Sequence, residues 1–394
     1  MALDFQQVRQ QVKELGDRAP QRERQLQELR ELAHHLLKSN ALDLDRLHQK
    51  VQAVTQRYDP TLRCALPTNQ ALDANLSKPA LPAQATILAA DGSQIAPDRH
   101  AEVAYCLINV GAIQMRHGSP KPPVTTIFSQ LFYDEQLYTP TGTITDARLA
   151  LMRDLEERTV LAGLAEQALA PVITFTDGPM ELWGSKDSES ASDFQKSLEA
   201  YKDVLSHLCT LKVITAGYVD KPAANLVVRL LEVALLSEDE LPEIRKSFPL
   251  RGVTDLDLYR RLLSPGERSA VFAFQSKSVE HYQDELALHF FYLNVGRSGH
   301  PWLARVEVPA WVAGNPEMLD NLHAALVEQC RIMGNRPYPY LLHRAHEAAV
   351  VSQQEKAQVT QMIAIELRRR GVITGEPSYK QSMKDLPGKT RFSL

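Results

Sequence analysis

The chain has 394 residues, of which 44% are hydrophobic and 23% are charged, and this composition excludes a fibrous or wholly disordered protein. Its formal net charge is −4 at pH 7. A strongly positive net charge would point directly to nucleic-acid binding, and the chain as a whole does not have one.

Residues 1–58 are predicted to form a helical N-terminal arm, because apolar residues recur at helical spacing along it. Pro20 and Asp43 are expected to separate the helices of this arm, which suits packing or dimerisation. Residues 59–84 contain four prolines and few strong patterns, so they are predicted to be a connector. The first residues lack the apolar run of a secretory signal, and no stretch of about 18 apolar residues follows, so we expect a cytoplasmic protein that does not contact a membrane.

The character of the sequence changes after the connector, where strands and helices succeed one another. Strands are predicted at ATILAADGS, VAYCLINVGAIQM and TTIFSQLFY, followed by a helix over roughly 144–170 and a strand at PVITFTDGPM. A charged helix over roughly 189–208, a strand at LKVITAGYVDK and a helix at PAANLVVRLLEVALL come next. Later strands are predicted at SAVFAFQ, ALHFFYLNV and WLARVEVPAW, and two helices at 316–334 and 342–370. This succession predicts an α/β fold with a mixed sheet and helices packed on it.

The C-terminal end is basic, since seven lysines and arginines stand against two acids between 368 and 394. A solvated tail and a phosphate-contacting arm both fit this charge. The four cysteines are far apart and lack a zinc-binding spacing, which indicates free thiols in a reducing compartment.

Two aspartates, Asp91 and Asp177, each follow an apolar strand and precede a glycine. A side chain at the end of a strand lies at the sheet edge, and two such carboxylates on neighbouring strands can converge on one hard cation such as Mg²⁺ or Mn²⁺. Asp-Gly is equally typical of an ordinary turn, so the spacing alone leaves both interpretations open.

Five further residues carry side chains suited to the same chemistry. Glu156 and Glu157 lie on the helix before the second of these strands, and the helical periodicity does not separate them. Near the C-terminus, the segment RPYPYLLHRAHEAAVVS places His346 on the first turns of a helix and Tyr338 eight residues earlier. A histidine there could ligate a metal, orient a water molecule or donate to a phosphate, or it could serve only as a helix cap, and His343 competes for the role.

In this order, the motifs resemble those of the NurA family, the 5′-end-resecting nucleases of prokaryotic DNA repair. The resemblance covers roughly residues 85–352 and rests on Asp91-Gly92-Ser93, a helix acid, Asp177-Gly178 and the segment YPYLLHRAH. It implies an RNase H-like mixed-sheet core with helical insertions. The resulting domain prediction is a helical arm over 1–58, a connector over 59–84, a nuclease domain over 85–370 with a helical insertion near 185–210, and a basic tail over 371–394.

The same resemblance implies a manganese-dependent deoxyribonuclease, with magnesium as a possible substitute, acting as a 5′–3′ exonuclease and a single-strand endonuclease in end resection. It implies DNA substrates, both single-stranded and with duplex ends, a homodimer, and a HerA-type hexameric ATPase as partner. The implied catalytic residues are Asp91, Glu157, Asp177, Tyr338 and His346, and the implied metal ligands are Asp91, Glu157, Asp177 and His346. Glu157 is favoured over Glu156 because it lies nearer Asp177 and follows Arg153 by one helical turn.

Two other functions compete with this interpretation. A phosphotransferase with Asp91 as nucleophile would place a second aspartate two residues later, where this chain has Ser93. A non-catalytic DNA-repair scaffold would bind an ATPase partner through the helical arm. The sequence contains no GxxxxGK[ST], GxSxG or HExxH motif, so a P-loop, a nucleophile elbow and a zincin site are excluded.

Overall fold

The protein is described by a computed structural model over residues 3–98, 103–139, 142–182 and 191–372. The helices are α1 (Phe5–Ser39), α2 (Leu44–Arg57), α3 (Asp146–Glu166), α4 (Ala191–Thr210), α5 (Leu226–Leu235), α6 (Asp255–Leu262), α7 (Ala310–Ala313), α8 (Pro316–Ile332), α9 (Tyr340–Ala349) and α10 (Gln353–Arg369). The strands are β1 (Cys64–Pro67), β2 (Asn75–Leu76), β3 (Ala85–Ile95), β4 (Cys106–His117), β5 (Val124–Phe132), β6 (Tyr138–Thr139), β7 (Gly142–Thr143), β8 (Val172–Asp177), β9 (Ile214–Asp220), β10 (Arg268–Ser269), β11 (Phe272–Gln275), β12 (Leu288–Asn294) and β13 (Leu303–Pro309).

The chain divides into two compact units. The first comprises Met1–Leu81, Gly178–Met180 and Ala216–Tyr338, and the second comprises Pro82–Asp177, Glu181–Thr215 and Pro339–Leu394. Both contain sheet strands and helices, so the predicted α/β class is confirmed. The boundaries predicted for the arm, the connector and the nuclease domain stay predictions, and the basic tail from residue 373 onward lies outside the described residues.

The first unit is built on antiparallel strands in the order β1, β11, β12, β13, β9. Its core is rich in stacked aromatic rings, among them Tyr259 on Tyr292 at a centroid distance of 4.9 Å and Phe272 on Phe290 at 5.6 Å. Helices α1 and α2 pack with α5 in the same unit. Helix α5 is buried along most of its length because its sequence is almost entirely apolar.

Two predictions for the N-terminal region are wrong in detail. Pro20 does not separate two helices but lies inside the 35-residue helix α1. Residue 16, whose carbonyl the proline ring approaches, is a glycine, and this part of the helix is exposed, which leaves room for the ring. The predicted connector also contains two short strands, and β1 pairs antiparallel with β11 from Cys64 opposite Gln275. A four-residue strand is too short for periodicity to reveal it.

The second unit contains the RNase H-like core that was predicted. Strands β3, β4 and β5 form an antiparallel meander, helix α3 follows, and β8 returns parallel to β3, which gives the order β5, β4, β3, β8. The apolar residues Ile87, Leu88 and Ala89 of β3 are at most 1% exposed, because helices α3 and α9 both pack on this strand. Residues 342–370, predicted as one helix, form the end of α9 and the whole of α10, since Ser352 begins a new helix with a capping box to Glu355.

Strand β3 differs from the prediction at its most interesting point. The expected turn at Asp91-Gly92 is absent, and the strand continues to Ile95 because β4 pairs with it over its whole length. The parallel pairing with β8 ends earlier, at Ala90 opposite Thr176. Asp91 is therefore the first residue of β3 beyond the ladder with β8.

None of the helices in the described ranges is both long and apolar enough to cross a membrane. The four cysteines form no disulfide, which confirms the predicted free thiols.

Candidate active site

Asp91 and His346 form the central contact of the site. The Asp91 Oδ1 accepts a hydrogen bond from the Gly92 amide at 2.9 Å, and the Asp91 Oδ2 lies 2.6 Å from the His346 Nδ1. Because an ionised carboxylate can only accept, the Nδ1–H of the imidazole is the donor. The His346 side chain is 62% exposed, whereas that of Asp91 is 18% exposed. The imidazole is therefore the more accessible partner of the pair.

Helix α9 can approach Asp91 because β4, the strand paired with β3, has a glycine opposite Asp91. Gly111 is the cross-strand partner of Asp91, and a methyl group on it would lie 2.7 Å from the Ala349 nitrogen. The end of α9 is also bound to the sheet, since the Ala349 carbonyl accepts hydrogen bonds from the Ser93 hydroxyl at 2.5 Å and the Asn109 amide at 2.8 Å. These contacts fix the helix that carries the histidine.

Glu157 lies on the other face of β3, because neighbouring residues of a strand point to opposite faces. A methyl group on Gly92 would lie 2.8 Å from the Glu157 Oε1 and 2.6 Å from the Arg153 Cγ, so the missing side chain lets helix α3 come this close. The Arg153 Nε is 3.5 Å from the Glu157 Oε1, and its guanidinium also contacts the Asp154 carboxylate at 2.8 Å.

The charge state of Glu157 is set by burial and by its neighbours. Burial raises the pKa of Glu157 well above its ordinary value, and the negative charges of Asp154 and Asp91 raise the pKa further, while Arg153 opposes them. The half-buried Glu156 has its pKa raised by burial, with no contribution from Asp91. Of the two adjacent glutamates, the structure thus brings Glu157 to Asp91.

Asp177 is placed by the register of the parallel strands. The pairs run from Thr86 opposite Val172 to Ala90 opposite Thr176, so one further step sets Asp177 beside Asp91. The separation of neighbouring strands is about 4.8 Å. Asp177 is exposed, and the predicted turn after it is confirmed, because Gly178 has a φ of +87°, in the left-handed region that favours glycine.

The remaining two candidates have different surroundings. Tyr338 belongs to the first unit, is half-buried, and packs edge-on against Tyr218 with ring centroids 5.6 Å apart. His343, the competitor of His346, lies 3.5 Å from the Glu347 carboxylate on an exposed part of α9. Sequence could not separate the two histidines, and the structure separates them by the contact with Asp91.

The sequence analysis used the one-turn spacing of Arg153 and Glu157, and the structure shows the ion pair between them. It missed the role of the two glycines. No signal in the sequence marks Gly92 and Gly111 as contact points, because the helices that touch them are distant along the chain.

The side chains around Asp91 suit a hard divalent cation. Carboxylate oxygens with one imidazole are ligands that Mg²⁺ and Mn²⁺ accept. The negative charges of Asp91 and Asp154 disfavour the ionised form of the buried Glu157, and a cation bound there would stabilise that form. Within the described ranges, no three His, Cys, Asp or Glu side chains are close enough together to enclose an ion. The donor set fits the ion chemically, with Arg153 supplying the positive charge beside Glu157 in this structure.

The fold and the acidic end of β3 define the class of protein as an RNase H-like α/β nuclease domain. A comparison with protein families matches the NurA domain over residues 85–351, more than half of the chain. The chain therefore belongs to the NurA family.

Several solved structures are similar to this chain at low sequence identity. The NurA nuclease from Sulfolobus solfataricus is 11% identical, with a TM-score of 0.43, over 84% of this chain and 97% of that one. Endonuclease V from Ciona intestinalis, solved with a 24mer DNA containing an inosine followed by a ribo-adenosine, is 10% identical, with a TM-score of 0.33, over 80% and 99%. The catalytic domain of human endonuclease V is 14% identical, with a TM-score of 0.31, over 82% and 98%. No curated protein matches the chain in sequence.

Proposed function

We propose that this chain is a divalent-metal-dependent DNA nuclease with Asp91 at its centre. The observation that carries the proposal is the meeting of three elements at one residue of β3. His346 of α9 contacts the Asp91 carboxylate, Glu157 of α3 lies against the next residue, and the register of β8 sets Asp177 alongside. These elements lie inside the NurA domain.

Asp91, Glu157, Asp177 and His346 would hold the metal. A divalent ion bound there would lower the pKa of a water molecule and stabilise negative charge on the phosphate. Manganese is the proposed ion and magnesium its possible substitute. Tyr338 is proposed to contact the DNA near the cleaved bond.

The protein's own groups account for the orientation of the ligands. Since His346 donates its Nδ1–H to Asp91, its neutral imidazole has its lone pair on Nε2, and with that nitrogen it would ligate the metal. The Gly92 amide holds the other oxygen of the Asp91 carboxylate and so fixes its plane. The Arg153 guanidinium balances part of the negative charge around Glu157.

Family membership supports a more specific role, which we propose as well. The protein would degrade DNA in the 5′–3′ direction and cut single strands internally, acting in end resection as a cytoplasmic homodimer with a HerA-type hexameric ATPase. The nuclease domain would extend over residues 85–370.

The test is cleavage of end-labelled single-stranded and duplex DNA with Mn²⁺, with Mg²⁺ and with EDTA. We expect the native protein to cut only with metal, and the variant Asp91→Asn to lose more than about 100-fold, because even partners behind the ligands contribute 10–100-fold. Asp203→Asn, on an exposed part of α4, is the matched control and should cut normally. Labelling the 5′ or the 3′ end determines the polarity.

Two results would contradict the proposal. Normal cleavage by a folded Asp91→Asn variant would remove Asp91 from the site. No cleavage of any DNA by the native protein with either metal would favour the non-catalytic scaffold, whose expected property is then binding to an ATPase partner.

A further inference from the structure

A cleft of about 790 Å³ opens in the second unit beyond the proposed metal-binding end of β3. We call it the β3 cleft. It is lined by Gln94 and Ile95 of β3, by Tyr138 from the segment before α3, and by Val351 and Lys356 from the region of α10. A volume of this size lies in the range of sites that hold one small molecule or one unit of a polymer.

The position of the cleft relates it to Asp91. Gln94 follows Asp91 by three residues of continuous strand, a distance of about 10 Å. Gln94 also lies two residues after Gly92, so it is on the face of β3 that Glu157 packs against. Successive phosphates of one strand are about 3.4 Å apart along a duplex axis and farther apart in an extended strand. A DNA strand cleaved at Asp91 would thus place a nucleotide one to three positions away at the cleft.

The lining combines an aromatic ring, apolar side chains and an unsatisfied polar group. Tyr138 is 65% exposed, so its ring is accessible to a ligand. The Gln94 Oε1 is buried and has no hydrogen-bond partner in the described part of the protein. A buried acceptor without a donor is unfavourable, so rotation of the Gln94 amide toward the cleft, which this residue lines, would let a ligand donate to it.

The charge of the lining further limits the class of ligand. Lys356 is matched by Asp98, which also lines the cleft. With one positive and one negative side chain among the described residues of its lining, the cleft is poorly suited to a polyphosphate. It suits a flat, neutral ring with polar edges and a single phosphate at the margin.

We propose that the β3 cleft binds one unpaired nucleotide of the DNA substrate, next to the cleaved bond. The base stacks on Tyr138, its edge exchanges hydrogen bonds with the Gln94 amide, and its phosphate lies at Lys356. A paired base has its faces covered by neighbours and its edge engaged, so only a single-stranded nucleotide can make these contacts. This inference rests on the proposed nuclease function, because that function supplies the DNA.

The test measures binding of a fluorescein-labelled oligo(dA) strand to the metal-free protein in EDTA, so that cleavage does not enter. We expect Tyr138→Ala to weaken binding about tenfold, the scale of one stacked base, and Tyr138→Phe to bind normally. Gln94→Met, which keeps the size of the side chain, should reduce the difference in affinity between oligo(dA) and oligo(dT). Blunt duplex DNA should bind all variants equally.

Tyr133→Ala is the matched control, because Tyr133 is a nearby tyrosine with a 56% exposed side chain that does not line the cleft. The proposal is overturned if Tyr138→Ala binds like the native protein, or if Tyr133→Ala loses as much. It is also overturned if Tyr138→Phe fails to restore binding in a protein that melts normally. The two proposals can fail separately. If Tyr138→Ala binds DNA more weakly but the native protein shows no metal-dependent cleavage, the nucleotide-binding cleft is supported and the nuclease function is refuted.

Discussion

Replacing Gly92 with alanine tests whether the close approach of α3 to β3 is what positions Glu157. The new methyl group would lie 2.6 Å from the Arg153 Cγ and 2.8 Å from the Glu157 Oε1. Favourable contacts between heavy atoms begin at about 3.5 Å, so these side chains must move by about 1 Å. Both are flexible ends of long side chains, and helix α3 itself need not shift.

The expected effect is large on activity and small on stability. A displacement of about 1 Å in a catalytic arrangement reduces the rate about 100-fold. The added methyl group overpacks this contact, but the flexible side chains can move to relieve it. The free energy of unfolding should therefore fall by about 1 kcal/mol, the lower end of the range for overpacked cores. The assay is Mn²⁺-dependent cleavage of labelled single-stranded DNA by Gly92→Ala, together with urea unfolding of the same variant.

Gly163→Ala is the matched control on the same helix. Gly163 is exposed, and no described atom beyond its own turn lies within 4 Å of the methyl group that the substitution adds. It should stabilise α3 by about 1 kcal/mol, the difference in helix propensity, and leave cleavage unchanged. Cleavage by Gly92→Ala within twofold of the native rate would refute the reasoning. A loss of stability above about 3 kcal/mol would show that the backbone, and not the two side chains, gives way.

Three further substitutions have distinct expected results. Glu157→Gln should reduce cleavage more than about 100-fold, whereas Glu156→Gln should stay within a few-fold of native, and equal losses in the two would contradict the placement of Glu157. Gly111→Ala adds a methyl 2.7 Å from backbone atoms of α9, which cannot swing aside, so urea unfolding should show a loss of about 2–3 kcal/mol. Burial lowers the pKa of His323 from 6.5 to about 4, so the unfolded state takes up its proton first as the pH falls. The contribution of the neutral ring to the free energy of unfolding is therefore fully present above pH 6.5. The free energy of unfolding falls by about 3 kcal/mol as the pH is lowered from there to 4. His323→Gln, which can still donate to the Gly266 carbonyl, should lack this part of the pH dependence, and an unchanged pH profile of unfolding would exclude the histidine as its source.

Most helices and strands could be predicted from hydrophobic periodicity, and two of the errors have opposite causes. Asp91-Gly92 has the composition of a turn, but β4 offers a complete ladder from Ala85 opposite His117 to Ile95 opposite Leu107, and the strand continues. Tertiary pairing determined the conformation there and overrode the local preference. The break between α9 and α10 is the opposite case. The helical periodicity continues across both helices, but the local capping box at Ser352 starts a new helix there.

The candidate site could be proposed from the sequence as a set of residues but not as an arrangement. The strand positions of Asp91 and Asp177 followed from apolar runs, and parallel strands align such residues automatically. The choice between the two glutamates depended on which helical side chain meets Gly92, a contact between residues about 65 positions apart that one sequence does not display. Tyr338 came from the family resemblance, and its role in the reaction stays a prediction.

The central contact of the site joins residues 255 positions apart, and this separation sets a time order during synthesis. Chains emerge N-terminal end first, and the early parts fold before the late ones are made. Strands β3 and β8, which carry Asp91 and Asp177, are made long before α9 leaves the ribosome. A growing chain therefore carries the acidic half of the site without its histidine, and the contact to His346 can close only when most of the protein has been made. On the proposed function, an unfinished chain would be harmless to the DNA around it.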